Sequence, residues 1–161
     1  MFDFFKKKKS QELIIGSPVK GKAVSLSSVN DPTFSEEMLG KGIAIIPSDG
    51  KIFAPADGKI ETLFDTLHAV SLVTGDGVEI LIHAGLDTVQ MHGNGFTGHV
   101  HSGDTVHKGD LLLEIDLDKV KAAGYDMITP VIICNTDEYT DVRSLAGRDV
   151  NPGDDVISIT K

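Results

Sequence analysis

Tryptophan is absent from the 161-residue sequence, tyrosine appears twice and cysteine once. A lone cysteine rules out an internal disulfide and suits a reducing compartment, so the expected location is cytoplasmic. Cys134 follows the apolar run Val131-Ile132-Ile133 and reads as a buried strand residue rather than a nucleophile. No apolar run approaches the length of a membrane-spanning helix. Positive charge is in the minority, with 15 Lys and Arg against 24 Asp and Glu and a formal net charge of −9. An acidic surface repels phosphate backbones, which argues against a nucleic-acid partner and favours a basic protein.

Helical periodicity is scarce as well. Short helices are expected at Phe34 to Leu39 and Leu117 to Ala123, with a helical turn around Asp141 to Leu145. Asp116 or Asp118 is placed to cap the second helix and Gly124 to end it. What the chain does have is glycine, 17 in all, with Val and Ile spread throughout. Alternation predicts strands at Gly42 to Pro47, Lys51 to Ala54, Gly58 to Phe64, Ala69 to Thr74, Val78 to His83, Leu111 to Asp116, Pro130 to Asn135 and Asp155 to Thr160. Asp49-Gly50, Asp57-Gly58 and Asp76-Gly77 supply turns between them. Many short strands at this spacing predict an all-β sandwich or barrel.

An internal echo refines the expectation. Gly103 to Ile115 reads GDTVHKGDLLLEI and Gly147 to Ile159 reads GRDVNPGDDVISI, with Val106 against Val150 and Gly109-Asp110 against Gly153-Asp154. A hairpin unit used twice around a pseudo-twofold axis explains this. Convergent use of a common turn pair is the alternative.

At the N-terminus, Phe2, Phe4 and Phe5 precede Lys6 to Lys9, the reverse of a secretion signal. Two readings stand for residues 1–12: a solvated, flexible tail, or an amphipathic segment making peripheral contact with an anionic membrane.

The six histidines separate by pattern. Neutral imidazole is a nucleophile at cytoplasmic pH, its unperturbed pKa lying near 6.5. In Val78 to His83, alternation puts Val78, Ile80 and Ile82 on one face and Glu79, Leu81 and His83 on the other, so His83 faces away from the core. Gly85 lets the backbone approach, and Asp87 is placed to orient the ring or to accept its second N–H. Phe64, Thr66, His68 and Val70 share a face by the same alternation, and the Thr66 hydroxyl is placed to fix the tautomer of His68. His99 and His101 are spaced as a metal pair but read as surface strand residues. His92 and His107 sit in turn-like sequence and are assigned nothing.

The stretch Gly77 to Val89, GVEILIHAGLDTV, resembles the phosphorylation-site signature of the glucose-type IIA components of the bacterial phosphoenolpyruvate-dependent sugar phosphotransferase system. Thr66-Leu67-His68-Ala69 resembles the context of that family's second active-site histidine. Gly42 to Pro47, Ala54 to Gly58, Thr129 to Ile133 and the closing hairpin Val150 to Ile159 match too, so the likeness spans residues 13–161. It implies an antiparallel β-sandwich built from a duplicated unit. It also implies a phosphoryl carrier that accepts phosphate on His83 from the phosphocarrier HPr and passes it to a cysteine of a IIB domain, with His68 assisting. By position Phe34, Met38, Leu39, Phe64, Val70, Leu81, Ala84 and Val89 would form an apolar depression for these partners. No cofactor is implied, although zinc bridging His68 and His83 at a partner interface is conceivable. Many relatives are parts of larger permeases, whereas a free-standing protein with possible regulatory targets is expected here.

Two other classes compete. His83-x-x-x-Asp87 with His99-x-His101 fits the motif words of lysostaphin-type zinc endopeptidases, but the two halves lie closer in sequence than that family places them. The Gly-Asp hairpins also suit a biotinyl or lipoyl carrier, but neither Lys51 nor Lys108 has the flanking sequence such a domain displays.

Overall fold

The computed structural model describes residues 12–161, so the predicted N-terminal tail lies outside it apart from residue 12. The strands are β1 (Glu12–Gly16), β2 (Gly21–Val24), β3 (Lys41–Pro47), β4 (Lys51–Phe53), β5 (Gly58–Leu63), β6 (Ala69–Thr74) and β7 (Glu79–His83), then β8 (Phe96–Gly98), β9 (Thr105–Val106), β10 (Leu111–Ile115), β11 (Thr129–Ile133), β12 (Asp141–Ser144), β13 (Arg148–Val150) and β14 (Asp155–Thr160). Two short helices, α1 (Pro32–Ser35) and α2 (Leu117–Ala122), interrupt them. All pairings are antiparallel. The large sheet has the order β13-β2-β3-β11-β7-β6-β5-β9, and two three-stranded sheets, β1-β14-β12 and β4-β10-β8, pack with it.

The large sheet's order is the same read from either end once β13 is exchanged for β9, β2 for β5, β3 for β6 and β11 for β7. A pseudo-twofold axis therefore passes between β11 and β7. Hydrogen bonds repeat across it. Gly109 N–H donates to Ala54 O at 2.9 Å and Ala54 N–H returns one to Asp110 O at 2.8 Å; Gly153 and Ser17 exchange the same pair at 2.9 and 2.7 Å with Asp154. Asp110 and Asp154 each cap their own turn, accepting from His107 N and Asn151 N at 2.8 Å. The two halves also meet reciprocally, Gly16 N–H on Pro55 O and Phe53 N–H on Pro18 O. The duplicated hairpin is thus real, and it extends further than the echo suggested. Ser17-Pro18-Val19-Lys20-Gly21-Lys22 and Ala54-Pro55-Ala56-Asp57-Gly58-Lys59 occupy equivalent places, and the shared Pro, Gly and Lys are the sequence signal for it.

Alternation decides which side chains meet. Ile80 and Ile82 of β7, Ile43 and Ile45 of β3, and Val131 and Ile133 of β11 point into the main core, all fully buried. Each such side chain contributes about 1.5–3 kcal/mol by burial. The opposite face of the same strands, with Ala44, Ile132 and Leu81, packs against Leu26, Val29, Phe34, Leu86 and Ile128 in a smaller second cluster. That cluster ends at His83.

Several expectations need correction. The segment after Asp141 is strand, not a helical turn, because Val142 alternates with exposed Asp141 and Arg143 and pairs with Ile159. The first helix spans only Pro32–Ser35, since Glu37 adopts φ 58° and turns the chain away. Cys134 lies beyond the end of β11 and is exposed. Asp116 does cap α2, accepting from Lys119 N–H at 3.2 Å.

Candidate active site

Strand β7 carries His83 to its end, and register places Ala69 of β6 directly opposite. His68 precedes Ala69, and its carbonyl accepts the Ala84 N–H at 2.7 Å. Two histidines distant in sequence are thereby held side by side, ring centroids 5.2 Å apart and nearly perpendicular at 79°. His83 is half-buried, with one face against the buried Phe34 ring of α1 at 5.0 Å.

The Nδ1–H of His83 donates to the Gly85 carbonyl at 2.6 Å. A neutral imidazole carries one proton, so the ring nitrogen left bare is Nε2. The Gly85 backbone makes this possible at φ 87°, where a Cβ would come within 2.6 Å of Thr88 Cγ2 and 3.0 Å of Asp126 O. Leu86 N–H donates to Asp126 O at 2.8 Å, and the buried Thr88 hydroxyl donates to Ala84 O at 2.6 Å.

His68 is almost wholly buried at 8 % exposure, with Phe64 edge-on at 5.3 Å. Thr66 Oγ1 lies 2.5 Å from His68 Nδ1. This contact comes from a tight turn rather than from extended alternation. Leu67 takes φ 58° and donates its N–H to Phe64 O at 2.7 Å, so β6 begins only at Ala69. The turn also separates Phe64 from Val70, which do not share a face: Phe64 is exposed and Val70 is in the main core.

Burial pushes the pKa of His83 below the ordinary histidine value of 6.5, opposed by the Gly85 carbonyl and by the carboxylates of Asp31 and Asp87. Burial, then the charge of His83, lowers that of His68. Both rings are therefore neutral at neutral pH.

The expected apolar depression divides. Met38, Leu39, Phe64 and Val89 are exposed large apolar side chains, Met38 at 70 %. Val70 and Ala84 are fully buried in the main core, so they present nothing to a partner. Phe34 is buried too and supports His83 from beneath, and Leu81 is partly buried against the second cluster. Asp87 is exposed in a left-handed conformation, and the Gly85 carbonyl, not its carboxylate, takes the His83 N–H. Asp31 was not foreseen at the site: its sequence signal, an Asp before Pro32, announces only a helix cap, which it also provides to Thr33 N–H at 3.0 Å. His99 pairs with Glu114 at 3.0 Å, His101 lies beside Asp104, and neither residue is in a strand. Among the described residues no group of three His, Cys, Asp or Glu is gathered as a metal site would require, so the endopeptidase motif words do not converge in space.

Comparison with known proteins agrees with this arrangement. Residues 13–139 match the family described as phosphoenolpyruvate-dependent sugar phosphotransferase system, EIIA 1. The chain is 38% identical over 152 residues to the PTS system glucose-specific EIIA component of Oceanobacillus iheyensis, covering 94% of this chain and 92% of that one. It is 50% identical over 127 residues to the PTS system beta-glucoside-specific EIIBCA component of Bacillus subtilis, 79% of this chain but 21% of the relative, so it spans about a fifth of that longer protein. Among solved structures, glucose permease IIA from Mycoplasma capricolum superimposes with a TM-score of 0.84 at 38% identity, covering 91% of this chain and 95% of that one. Paired histidines at the meeting of β6 and β7, the duplicated β-sandwich and these relatives together show that the chain belongs to the glucose-type EIIA family of the phosphoenolpyruvate-dependent sugar phosphotransferase system.

Proposed function

We propose that the protein is a phosphoryl carrier that accepts phosphate on His83 Nε2 from HPr and donates it to a IIB domain. The observation that carries this reading is the Nδ1–H bond to Gly85, which leaves Nε2 as the nucleophilic nitrogen. In acceptance, the Nε2 lone pair forms a bond to phosphorus as the bond from phosphorus to the donor breaks. The ring keeps its Nδ1 proton and becomes cationic, a charge that the Gly85 carbonyl, Asp31 and Asp87 favour. In donation, a cysteine thiolate of IIB forms the new bond and the electron pair returns to Nε2. In-line positioning and charge stabilisation supply most of the catalysis.

His68 has the complementary role. With the Thr66 hydroxyl donating to Nδ1, the proton of His68 sits on Nε2, where it can donate to a phosphoryl oxygen. A partner docks on Phe64, Val89 and the neighbouring exposed apolar residues, its basic groups meeting Asp31 and Asp87. Were the His68 proton to move to Nδ1, with the Thr66 hydroxyl accepting its hydrogen bond, the two Nε2 atoms would be free to hold a zinc ion completed by partner ligands, a state that belongs to a complex rather than to the carrier cycle. The IIB assignment draws on relatives whose names join IIA to B and C components in one chain.

The decisive experiment is incubation with phosphoenolpyruvate, enzyme I and HPr, followed by detection of an acid-labile phosphate. The expected outcome is one phosphate in the native protein and none in His83→Ala. Uptake by His83→Ala at the native rate refutes the assignment.

A further inference from the structure

The protonation pattern of His83 depends on one carbonyl, and that carbonyl belongs to a strained loop. Gly85 and Asp87 both adopt positive φ, 87° and 59°. For Asp87, a residue with a Cβ, this conformation carries backbone strain. The side chain of Asp87 makes no capping hydrogen bond that would offset it. Something else must hold the loop, and two contacts do.

The first is the Thr88 hydroxyl, fully buried, donating to Ala84 O at 2.6 Å. Ala84 C=O belongs to the peptide plane that enters Gly85. The second is Leu86 N–H donating to Asp126 O at 2.8 Å. Leu86 N–H and Gly85 C=O belong to the same peptide plane, and in a trans peptide they point in opposite directions. Anchoring that N–H on Asp126 therefore aims the Gly85 oxygen the other way, at His83 Nδ1. Asp126 is itself held by a local turn in which its Oδ1 accepts Ile128 N–H at 2.9 Å. Both planes flanking the most permissive residue of the loop are pinned, one on each side.

We propose that the Thr88 hydroxyl and the main-chain carbonyl of Asp126 are positioning groups that set the tautomer of His83 through the Gly85 peptide planes, a reading that rests on His83 being the phosphate acceptor. Neither group touches the reacting atoms. A neutral histidine side chain free in water favours the proton on Nε2, the tautomer that blocks the nucleophile. Release of either anchor lets the Gly85 carbonyl swing away and the Nε2–H form appear. The hydroxyl-to-carbonyl bond is not by itself a catalytic mark: Thr136 Oγ1 makes the same kind of contact with Ile133 O, at 2.5 Å, in the loop after β11. What distinguishes the loop after β7 is the second plane, turned onto a histidine.

The test reads the tautomer directly. Protein carrying 15N-histidine is studied above pH 7.5 by long-range 1H–15N correlation, for Thr88→Val, Thr88→Ser and a protein whose Leu86 amide is replaced by a backbone ester, with transfer from phosphorylated HPr measured in parallel. Native protein and Thr88→Ser show His83 with Nδ1–H alone. Thr88→Val and the Leu86 ester show an added Nε2–H population, with acceptance slowed about tenfold to a hundredfold at unchanged KM. A folded Thr88→Val with the native tautomer overturns the proposal. Should Thr88→Val fail to fold, the Leu86 ester decides, because it removes only the N–H that the Asp126 carbonyl accepts; an unchanged tautomer there overturns it equally. A shifted tautomer with undiminished transfer upholds the positioning role and instead refutes His83 as the acceptor.

Discussion

At the residue scale, two imidazoles of the same chemistry differ in what touches Nδ1: a backbone carbonyl at His83 and a hydroxyl at His68. The carbonyl can only accept, so His83 is left with a bare Nε2. The hydroxyl can donate, which lets His68 keep its proton on Nε2. His68→Gln should therefore retain acceptance from HPr in part, since an amide N–H replaces one hydrogen bond. Donation to IIB should fall about a hundredfold, because a preorganised donor is lost where charge develops. Separate stopped-flow measurement of the two half-reactions tests this, and donation at the native rate contradicts it.

Titration supplies a second check at the same scale. Folding lowers the pKa of both rings, so between the folded values and 6.5 the unfolded chain binds more protons than the native one. Stability attributable to these groups is then undiminished above 6.5 and declines as pH falls from there through the folded values. The acid midpoint of His83, read by NMR, is expected below 6.5, and acceptance should persist into mildly acid buffer. A midpoint at or above 6.5 would show that the Gly85 carbonyl and the carboxylates of Asp31 and Asp87 outweigh desolvation of the ring.

At the scale of elements, the site is a junction rather than a pocket, made where the end of β7, the turn before β6 and α1 converge. Val89, just past β7, is 39 % exposed, and Phe64 in the turn is equally so. Val89→Lys should raise the KM for HPr about tenfold or more while leaving the unfolding midpoint unchanged, since a like-for-like basic partner is repelled and no core contact is removed. Unaltered KM would move the docking surface elsewhere. The strand bearing His83 was legible from period-two alternation alone, and so were β3, β6 and β14. Val70 departs from its expected face because the left-handed backbone of Leu67 resets the alternation that follows, whereas Ala84, placed on the docking surface by resemblance, continues the core face of Ile80 and Ile82. Strands β1, β2 and β8 went unseen because they are short or half-exposed, and only pairing with distant partners makes them strands. The Gly85 carbonyl was beyond sequence reasoning, since a backbone group has no letter of its own.

For the whole molecule, duplication means that stability determinants come in pairs. Gly109 and Gly153 hold equivalent turns at φ 94° and 92°, and the space around each is open to a Cβ. Alanine at either place meets backbone strain and little else, so each change should cost about 1–2 kcal/mol, nearly equal and close to additive. Urea unfolding of the single and double variants measures this, and a large inequality would mean the halves are not mechanically equivalent. The paired histidines are not duplicated with the fold. In the register of the pseudo-twofold, Ile132 of β11 occupies the place that His83 has in β7.

The pairing of β1 with β14 places Glu12 opposite Thr160, in a different sheet from the one that bears His83. Chain enters and leaves the domain at one point of suspension. A covalent tether attached at either end would therefore swing His83 through much the same volume, so fusion order becomes interchangeable and linker length alone sets how concentrated the imidazole is at a joined acceptor.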